Sequence, residues 1–293
     1  MYAIIGANGF LGNYIIKAIL NRTRDEILAM DMNCPKSIED RRLKWKRCNI
    51  LDDNEFDEVV EILKGSSEVK VIFLAAYHHP DLVAKNPQTA WNINVTTLSK
   101  CINKLHFVSR LFYASTDSVY GNSFGDYHFK ETDALNPVNI YGRNKAAAEA
   151  VIKYSGFTVV RYPFLIGPSL VAGREHFYDQ IVNSLREQNP VEMFSDSYRS
   201  SLDFSTASAL MIDLCELEGK LPSIINICGD DDLSKYDVGR IIAKKLGASE
   251  KLIVPIKMSD RKDIFETPRA NSTLMDNSLL KELLHLKSVH LSL

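Results

Sequence analysis

The chain predicts an α/β fold, a doubly wound parallel sheet flanked by helices and followed by a smaller α/β lobe. Three observations lead there. Short apolar runs alternate with stretches of helical periodicity along the sequence. The first run, Tyr2-Ala3-Ile4-Ile5, opens directly into Gly6-Ala7-Asn8-Gly9-Phe10-Leu11-Gly12 and then into helically spaced residues from Asn13 to Leu20. Much later, Tyr141 and Lys145 stand four apart in a helix-forming stretch, Ile-Tyr-Gly-Arg-Asn-Lys-Ala-Ala-Ala-Glu.

Strand, glycine turn and helix are the context that a phosphate-cradling loop requires. Glycine lets the backbone approach a pyrophosphate, and the helix N-terminus offers N–H donors and the positive end of its dipole. Gly6, Asn8, Gly9, Phe10, Leu11 and Gly12 are therefore expected at a dinucleotide. The second run, Glu26 to Met30, ends in Asp31, about 20 residues beyond the loop, where a carboxylate accepts from both adenosine ribose hydroxyls and repels a 2′-phosphate. The expected cofactor is NAD, with NADP the alternative.

The alternation continues with a helix over 54–64 and a strand over 69–74 that ends in Ala75-Ala76, small residues that leave room for a flat ligand. A helix near 88–105 precedes a strand over 109–113, which runs into Ala-Ser-Thr-Asp-Ser-Val-Tyr-Gly at 114–121. Another strand covers 159–163 and is followed by the turn Gly167-Pro168. The expected division is an NAD(P)-binding lobe at 1–165 and a substrate-binding lobe at 166–293, with a strand near 223–228 returning to the sheet. Helices are expected over 174–188 and from Ser234 to Leu246.

Composition narrows the function classes. The 293 residues are 45% apolar and 25% charged with net charge −2, which carries no footprint for nucleic acid or a membrane surface. The basic run from Arg41 to Arg47 is offset by Glu39, Asp40, Asp52 and Asp53. The cysteines at 34, 48, 101, 215 and 228 lack metal-ligand spacing and read as reduced thiols of a cytoplasmic protein. The N-terminal residues show no charged leader, and no apolar stretch reaches 18 residues, so neither secretion nor membrane insertion is expected. His78 and His79 would point apart on a strand and lack a carboxylate partner spacing, so no metal site is expected.

Residues four apart on a helix share a face, so the Tyr141 phenol and the Lys145 ammonium would project together. A neighbouring positive charge favours phenolate and would lower a pKa that starts near 10. That makes a tyrosine a usable proton donor and acceptor near neutral pH.

With these residues in hand, the chain resembles the extended short-chain dehydrogenase/reductase (NAD-dependent epimerase/dehydratase) family, almost from end to end. Gly6, Gly9 and Gly12 fit its glycine loop, and Asn49-Ile50 stand where it usually has Asp-Ile against adenine. Leu74-Ala75-Ala76, Asn94-Val95 and Ser115-Thr116-Asp117-Ser118-Val119-Tyr120-Gly121 fit three further segments. Tyr141 and Lys145 fall on its catalytic pair. The resemblance implies that Thr116 hydrogen-bonds the reacting sugar oxygen, Tyr141 passes the proton, and Lys145 binds the nicotinamide ribose while lowering the tyrosine pKa. It implies cofactor contacts from Asn49, Ile50, Ala75, Ala76, Asn94, Tyr141, Lys145 and Tyr162, and a homodimer through helices near 88–105 and 142–155. Tyr77, His78, Asp117 and Arg269 are candidate substrate contacts, Arg269 toward a diphosphate. The segment Tyr198 to Phe204 departs from the family pattern, with Ser200 and Asp203 in place of Asp and His.

The resemblance implies a nucleotide-sugar substrate, and the sub-family decides the reaction. Dehydratases of this fold carry Thr-Asp-Glu; Ser118 replaces that Glu and cannot supply its carboxyl. Ala-Ala-Tyr followed by Asp81, Ser-Thr-Asp at 115–117, Glu131-x-Asp133 and the tail Arg269-Ala-Asn-Ser look like dTDP-4-dehydrorhamnose reductases. The expectation is an NAD(P)-dependent 4-keto-sugar reductase, as in polysaccharide biosynthesis. A 4-epimerase is the alternative, since residues 30–64 look more like those enzymes, and a non-catalytic regulatory subunit is a third.

Overall fold

The computed structural model describes residues 1–35, 38–261 and 265–293. Its first half alternates strand and helix: β1 Tyr2–Ile5, α1 Phe10–Arg22, β2 Ile27–Asp31, β3 Leu43–Arg47, α2 Asp53–Lys64 and β4 Lys70–Phe73. Short α3 Pro80–Lys85 and α4 Pro87–Trp91 lead through a π-helical turn, Asn92–Thr97, into α5 Leu98–Lys104. Then come β5 Arg110–Thr116, α6 Ile140–Tyr154, β6 Thr158–Tyr162 and β7 Leu165–Ile166. The second half carries α7 Phe177–Arg186, β8 Val191–Phe194, β9 Tyr198–Arg199, β10 Leu202–Asp203, α8 Phe204–Glu216 and β11 Ile224–Asn226. It ends with β12 Leu233–Ser234, α9 Lys235–Leu246, β13 Ile253–Ile256, β14 Ser272–Thr273 and α10 Ser278–Leu284.

Among the described residues, seven parallel strands form the central sheet in the order β11-β6-β5-β4-β1-β2-β3. This is the Rossmann-type doubly wound sheet. The chain winds outward from β1 to β3, then crosses back to β4 on the other side of β1. That reversal opens a crevice beyond the C-terminal ends of β1 and β4, where α/β sheets bind ligands. Both faces are covered, so the strands read as continuous apolar runs. Tyr2 and Ile4 turn to the layer holding Ile15, Ile19 and Met211, while Ala3 and Ile5 turn to Phe56, Val59, Leu98 and Ile152. Most of the basic run becomes edge strand β3, with Leu43, Trp45 and Lys46 half-buried and Lys44 and Arg47 exposed.

The second half adds its own core, Ile181, Val182, Leu185, Met193, Val238, Ile242 and Ile253, between α7, α9 and the β8–β13 pair. Ser234 and Asp237 form a capping box at the start of α9, and Gly247 closes it at φ 66°. The helix expected over 174–188 is shorter, starting at Phe177, because His176 caps it with Asp179.

Candidate active site

The crevice is lined by Ile5, Gly6, Asn8, Gly9, Asp31, Asn49, Ile50, Leu74, Ala75, Ala76, Tyr77, His78 and, from the second half, Arg174. Gly6 has φ +87°, and a Cβ there would sit 2.6 Å from the Ala75 nitrogen, so glycine is required where β1 meets the end of β4. A Cβ on Gly12 would overlap the Ala7 carbonyl, so this glycine seats α1 against the loop. Gly9 is different: its nearest neighbour would be 3.5 Å away, leaving open space above the helix end. No side chain caps α1 there, so its first N–H groups have no side-chain acceptor. Asn8 donates its N–H to Asp31 Oδ2 at 3.0 Å, while its own buried Oδ1 has no partner. This loop, open where a phosphate would lie and rich in free donors, fits a dinucleotide.

Asp31 ends β2 and lies over the crevice, its other oxygen accepting the Asn33 N–H at 3.4 Å. Asn49 lines the crevice and accepts the Leu51 N–H through Oδ1, with no protein acceptor for its Nδ2 among the described residues. Asn94 is buried and clamps Tyr77, accepting its N–H at 2.8 Å and donating to its carbonyl at 3.0 Å. Its side chain fixes the loop beyond β4. Phe10 and Leu11 pack inward from α1, Phe10 against His176 and Phe204.

Thr116, Tyr141 and Lys145 converge at the end of β5. Asn139 caps α6 by accepting the Gly142 N–H at 2.9 Å, which puts Tyr141 in the first turn. A Cβ on Gly142 would sit 2.5 Å from the Ser118 carbonyl, so this glycine lets the helix press against the segment carrying Thr116. Thr116 donates to Asp117 Oδ1 at 2.9 Å and stands beside the Tyr141 phenol, whose pKa it pulls down. Lys145 Nζ donates to Tyr113 Oη and to the Ala114 carbonyl, both at 2.6 Å, and lies 4.0 Å over the Tyr113 ring.

The electrostatics correct one expectation. Tyr141 is not lowered: burial, and then the Asp117 carboxylate, push its pKa up, with only the Thr116 hydrogen bond pulling the other way. Lys145 is turned onto Tyr113 and Ala114, and burial pushes its own pKa down to about 7, with Glu149 opposing. A lysine whose charged form is disfavoured by burial holds a phenolate weakly.

Beneath the three residues lies a buried network. Glu149 accepts from Ser115 Oγ at 2.5 Å and pairs with Arg161 at 2.6 Å, and Arg161 donates to Tyr120 Oη at 2.6 Å. Successive β5 side chains alternate, so Ser115 anchors the strand inward next to Thr116. The second half reaches the same place. Asp117 is buried, pairs with Arg199 at 3.2 Å and accepts from Thr273 at 2.6 Å. Arg269 pairs with Asp81 at 2.9 Å and bonds Thr267. Lys235 Nζ lies 5.4 to 5.9 Å from the rings of Phe164, Phe177, Phe194 and Phe265. Burial, with Arg199 and Arg269 repelling it, pushes Lys235 down to about 8.

Tyr162 does not line the crevice. Its ring is buried in the layer facing α8, and its hydroxyl has no partner, because the last β6 position turns toward that helix. Asp117 and Arg269 reach the site, but each is already ion-paired. Sequence reasoning missed Tyr113, Arg174, Arg199 and Lys235. Tyr113 sits inside an apolar strand run, Arg199 lies in the segment from Tyr198 to Phe204 whose departures from the family pattern left its contacts open, and Arg174 and Lys235 carry no motif. Among the described residues no His, Cys, Asp and Glu cluster could hold a metal, and no helix is long and apolar enough to cross a membrane.

The family described as "RmlD substrate binding domain" matches residues 2–291. Methionine adenosyltransferase 2 subunit beta of Danio rerio is 31% identical over 169 residues, 56% of this chain and only 47% of that protein, so the chain aligns with about half the length of that relative. A dTDP-4-dehydrorhamnose reductase from Bacillus anthracis, solved with NADP, superposes with TM-score 0.80 at 19% identity over 99% of this chain and 93% of that one. UDP-glucuronic acid 4-epimerase from Bacillus cereus, solved with UDP-glucuronic acid and NAD, gives TM-score 0.80 at 18% identity, covering 98% and 94%. At these identities the structural likeness shows a shared fold.

Proposed function

Because the chain belongs to the RmlD substrate binding domain family, we propose that it is an NAD(P)-dependent reductase of a 4-keto nucleotide-sugar. The observation that carries this reading is the convergence of Thr116, Tyr141 and Lys145 at the end of β5, with Gly142 pressing α6 onto the segment that carries Thr116. A reductase needs an acid that gives a proton to the carbonyl oxygen as it becomes an alcohol. A 4-epimerase would use the same phenol first as base and then as acid, and the match to the RmlD substrate binding domain family favours the reductase. The bound dinucleotide supplies the hydride.

In this reading Gly6, Asn8, Gly9, Phe10, Leu11 and Gly12 hold the pyrophosphate, Asp31 the adenosine ribose, and Asn49 with Ile50 the adenine. Ala75 and Ala76 leave space beside the nicotinamide half. Thr116 orients the sugar oxygen, and Lys145 fixes the ribose end through the Tyr113 side. Residues 166–293 supply the substrate lobe, where Arg199 pairs with Asp117, Arg269 with Asp81, and Lys235 adds a third cation near the two arginines. That surplus suits an anionic nucleotide. Two copies would pair through the helices near 88–105 and 142–155.

A second reading has its own support. Similarity to a protein named as a methionine adenosyltransferase subunit suits a regulatory, dinucleotide-binding role. A panel of 4-keto and 4-hydroxy nucleotide-sugars, followed by NADH absorbance and product stereochemistry, separates the three. Net oxidation of NADH or NADPH by a 4-keto substrate supports the reductase. Interconversion of 4-hydroxy sugars without net redox change supports the epimerase. Dinucleotide binding with no turnover across the panel supports the regulatory subunit.

A further inference from the structure

The loop after β7 places one cation where the glycine loop alone would leave a ligand open to solvent. Both ends of that loop are tied to Asp179, which accepts the Ser169 N–H at 3.0 Å and the His176 N–H at 2.8 Å. Between them Gly173 turns at φ +71°, with nothing within 4 Å of where a Cβ would be. Arg174 follows, and its N–H donates to the Val171 carbonyl at 3.2 Å. Its guanidinium carbon stacks 5.0 Å from the centroid of the Phe10 ring, the first residue of α1. His176 packs on the same ring at 4.9 Å.

Two facts aim this side chain at the crevice. Arg174 lines the same cavity as Gly6, Asn8, Gly9 and Asp31. Its charge also acts on His78, on the loop beyond β4. The guanidinium therefore lies across the crevice mouth between the glycine loop and the end of β4. Among the described residues the guanidinium has no hydrogen bond or carboxylate partner, and it lies over the ring of Phe10. An arginine stacked on an aromatic face keeps its N–H fork free for a planar or phosphate acceptor.

We propose that Arg174 is a pyrophosphate ligand of the dinucleotide, reaching across the crevice mouth between the glycine loop and the end of β4. The backbone donors at the start of α1 hold one side of the diphosphate, and the Arg174 fork takes the other. Phe10 sets the height of the guanidinium, so it acts as the shelf beneath this contact. The loop belongs to the second half of the chain, so the cofactor contact also joins the two halves. This inference rests on the dinucleotide reading above.

The test is direct binding, with no turnover needed. NADH is titrated by fluorescence, and ADP-ribose and adenosine by calorimetry, into wild type and Arg174→Met at low and high salt. NADH and ADP-ribose should each lose roughly tenfold in affinity, about the worth of one charge-assisted hydrogen bond, while adenosine binding stays unchanged. The salt dependence should flatten in the variant, and Arg174→Lys should recover part of the loss. The melting temperature should not move, since Arg174 is exposed. Unchanged NADH affinity in Arg174→Met overturns the assignment while leaving the dinucleotide reading intact. Equal weakening of adenosine also overturns it, because the effect would then not be on phosphate. A wild type that binds neither NADH nor NADPH overturns the dinucleotide reading and this inference with it.

Discussion

Burial and the Asp117 carboxylate act on the Tyr141 phenol in the same direction, and Lys145 does not offset them because its ammonium faces Tyr113 and Ala114. Tyr141→Phe should lower kcat by about 10²–10⁴ fold, the span of general acid catalysis, with NADH affinity unchanged in a fluorescence titration. Parallel loss of both would make Tyr141 a binding residue instead. Lys145 gives a stability prediction with a definite sign. Its pKa falls to about 7 on folding, from about 10.4 in an unfolded chain. Below pH 7 both states hold the proton, and the full cost of burying the charge opposes folding. As pH rises from 7 toward 10, the folded state has released a proton that the unfolded state retains, and that cost fades. Lys145→Met should therefore gain more in melting temperature relative to wild type at pH 6 than at pH 9. A gap that is constant, or that widens with pH, contradicts the assignment.

The three glycines of the first loop make separable demands on the element that carries them. Gly12 has backbone where a Cβ would go, so Gly12→Ala should cost about 1–3 kcal/mol in denaturant unfolding, the range for overpacking. Gly9 has open space, so Gly9→Ala should leave the melting temperature near wild type and weaken NADH binding. The reverse pattern would mean that the loop's open side lies elsewhere. α6 shows how an element aims chemistry. Asn139 fixes its start, Gly142 lets it press on Ser118, and Glu149, two turns beyond Tyr141, locks onto Arg161 and Ser115. The sequence spacing of Tyr141 and Lys145 correctly put them on one helix, but spacing carries no information on where an ammonium finds its acceptors.

At the scale of the whole molecule, the second half folds back onto the first through Arg199 and Asp117, Arg269 and Asp81, and Arg174 over Phe10. Arg199→Met leaves a buried carboxylate unpaired beside Thr116, so it should cost about 3–5 kcal/mol in urea unfolding. A loss below 1 kcal/mol would place that pair among weak surface contacts. Much of the fold was legible in the sequence. Strands buried on both faces leave apolar runs, helices leave a 3.6-residue period, and the glycine loop marks the switch point through contacts only glycine allows. Site residues within one strand–turn–helix unit were legible for the same reason. Tyr162 was not, since its direction depends on packing against α8; Arg199 lies in a segment that only partly fits the family pattern, and Arg174 and Lys235 lie in segments whose pattern shows no ligand chemistry. The central claim is that Tyr141 gives a proton to a sugar carbonyl beside a bound dinucleotide. Its most direct test is NADH and NADPH absorbance with a 4-keto nucleotide-sugar, comparing wild type with Tyr141→Phe at equal cofactor saturation. The account predicts net oxidation by wild type and a fall of at least about a hundredfold in the variant. Turnover that survives the substitution, or a wild type that binds dinucleotide and never oxidises it with any 4-keto sugar, would contradict it.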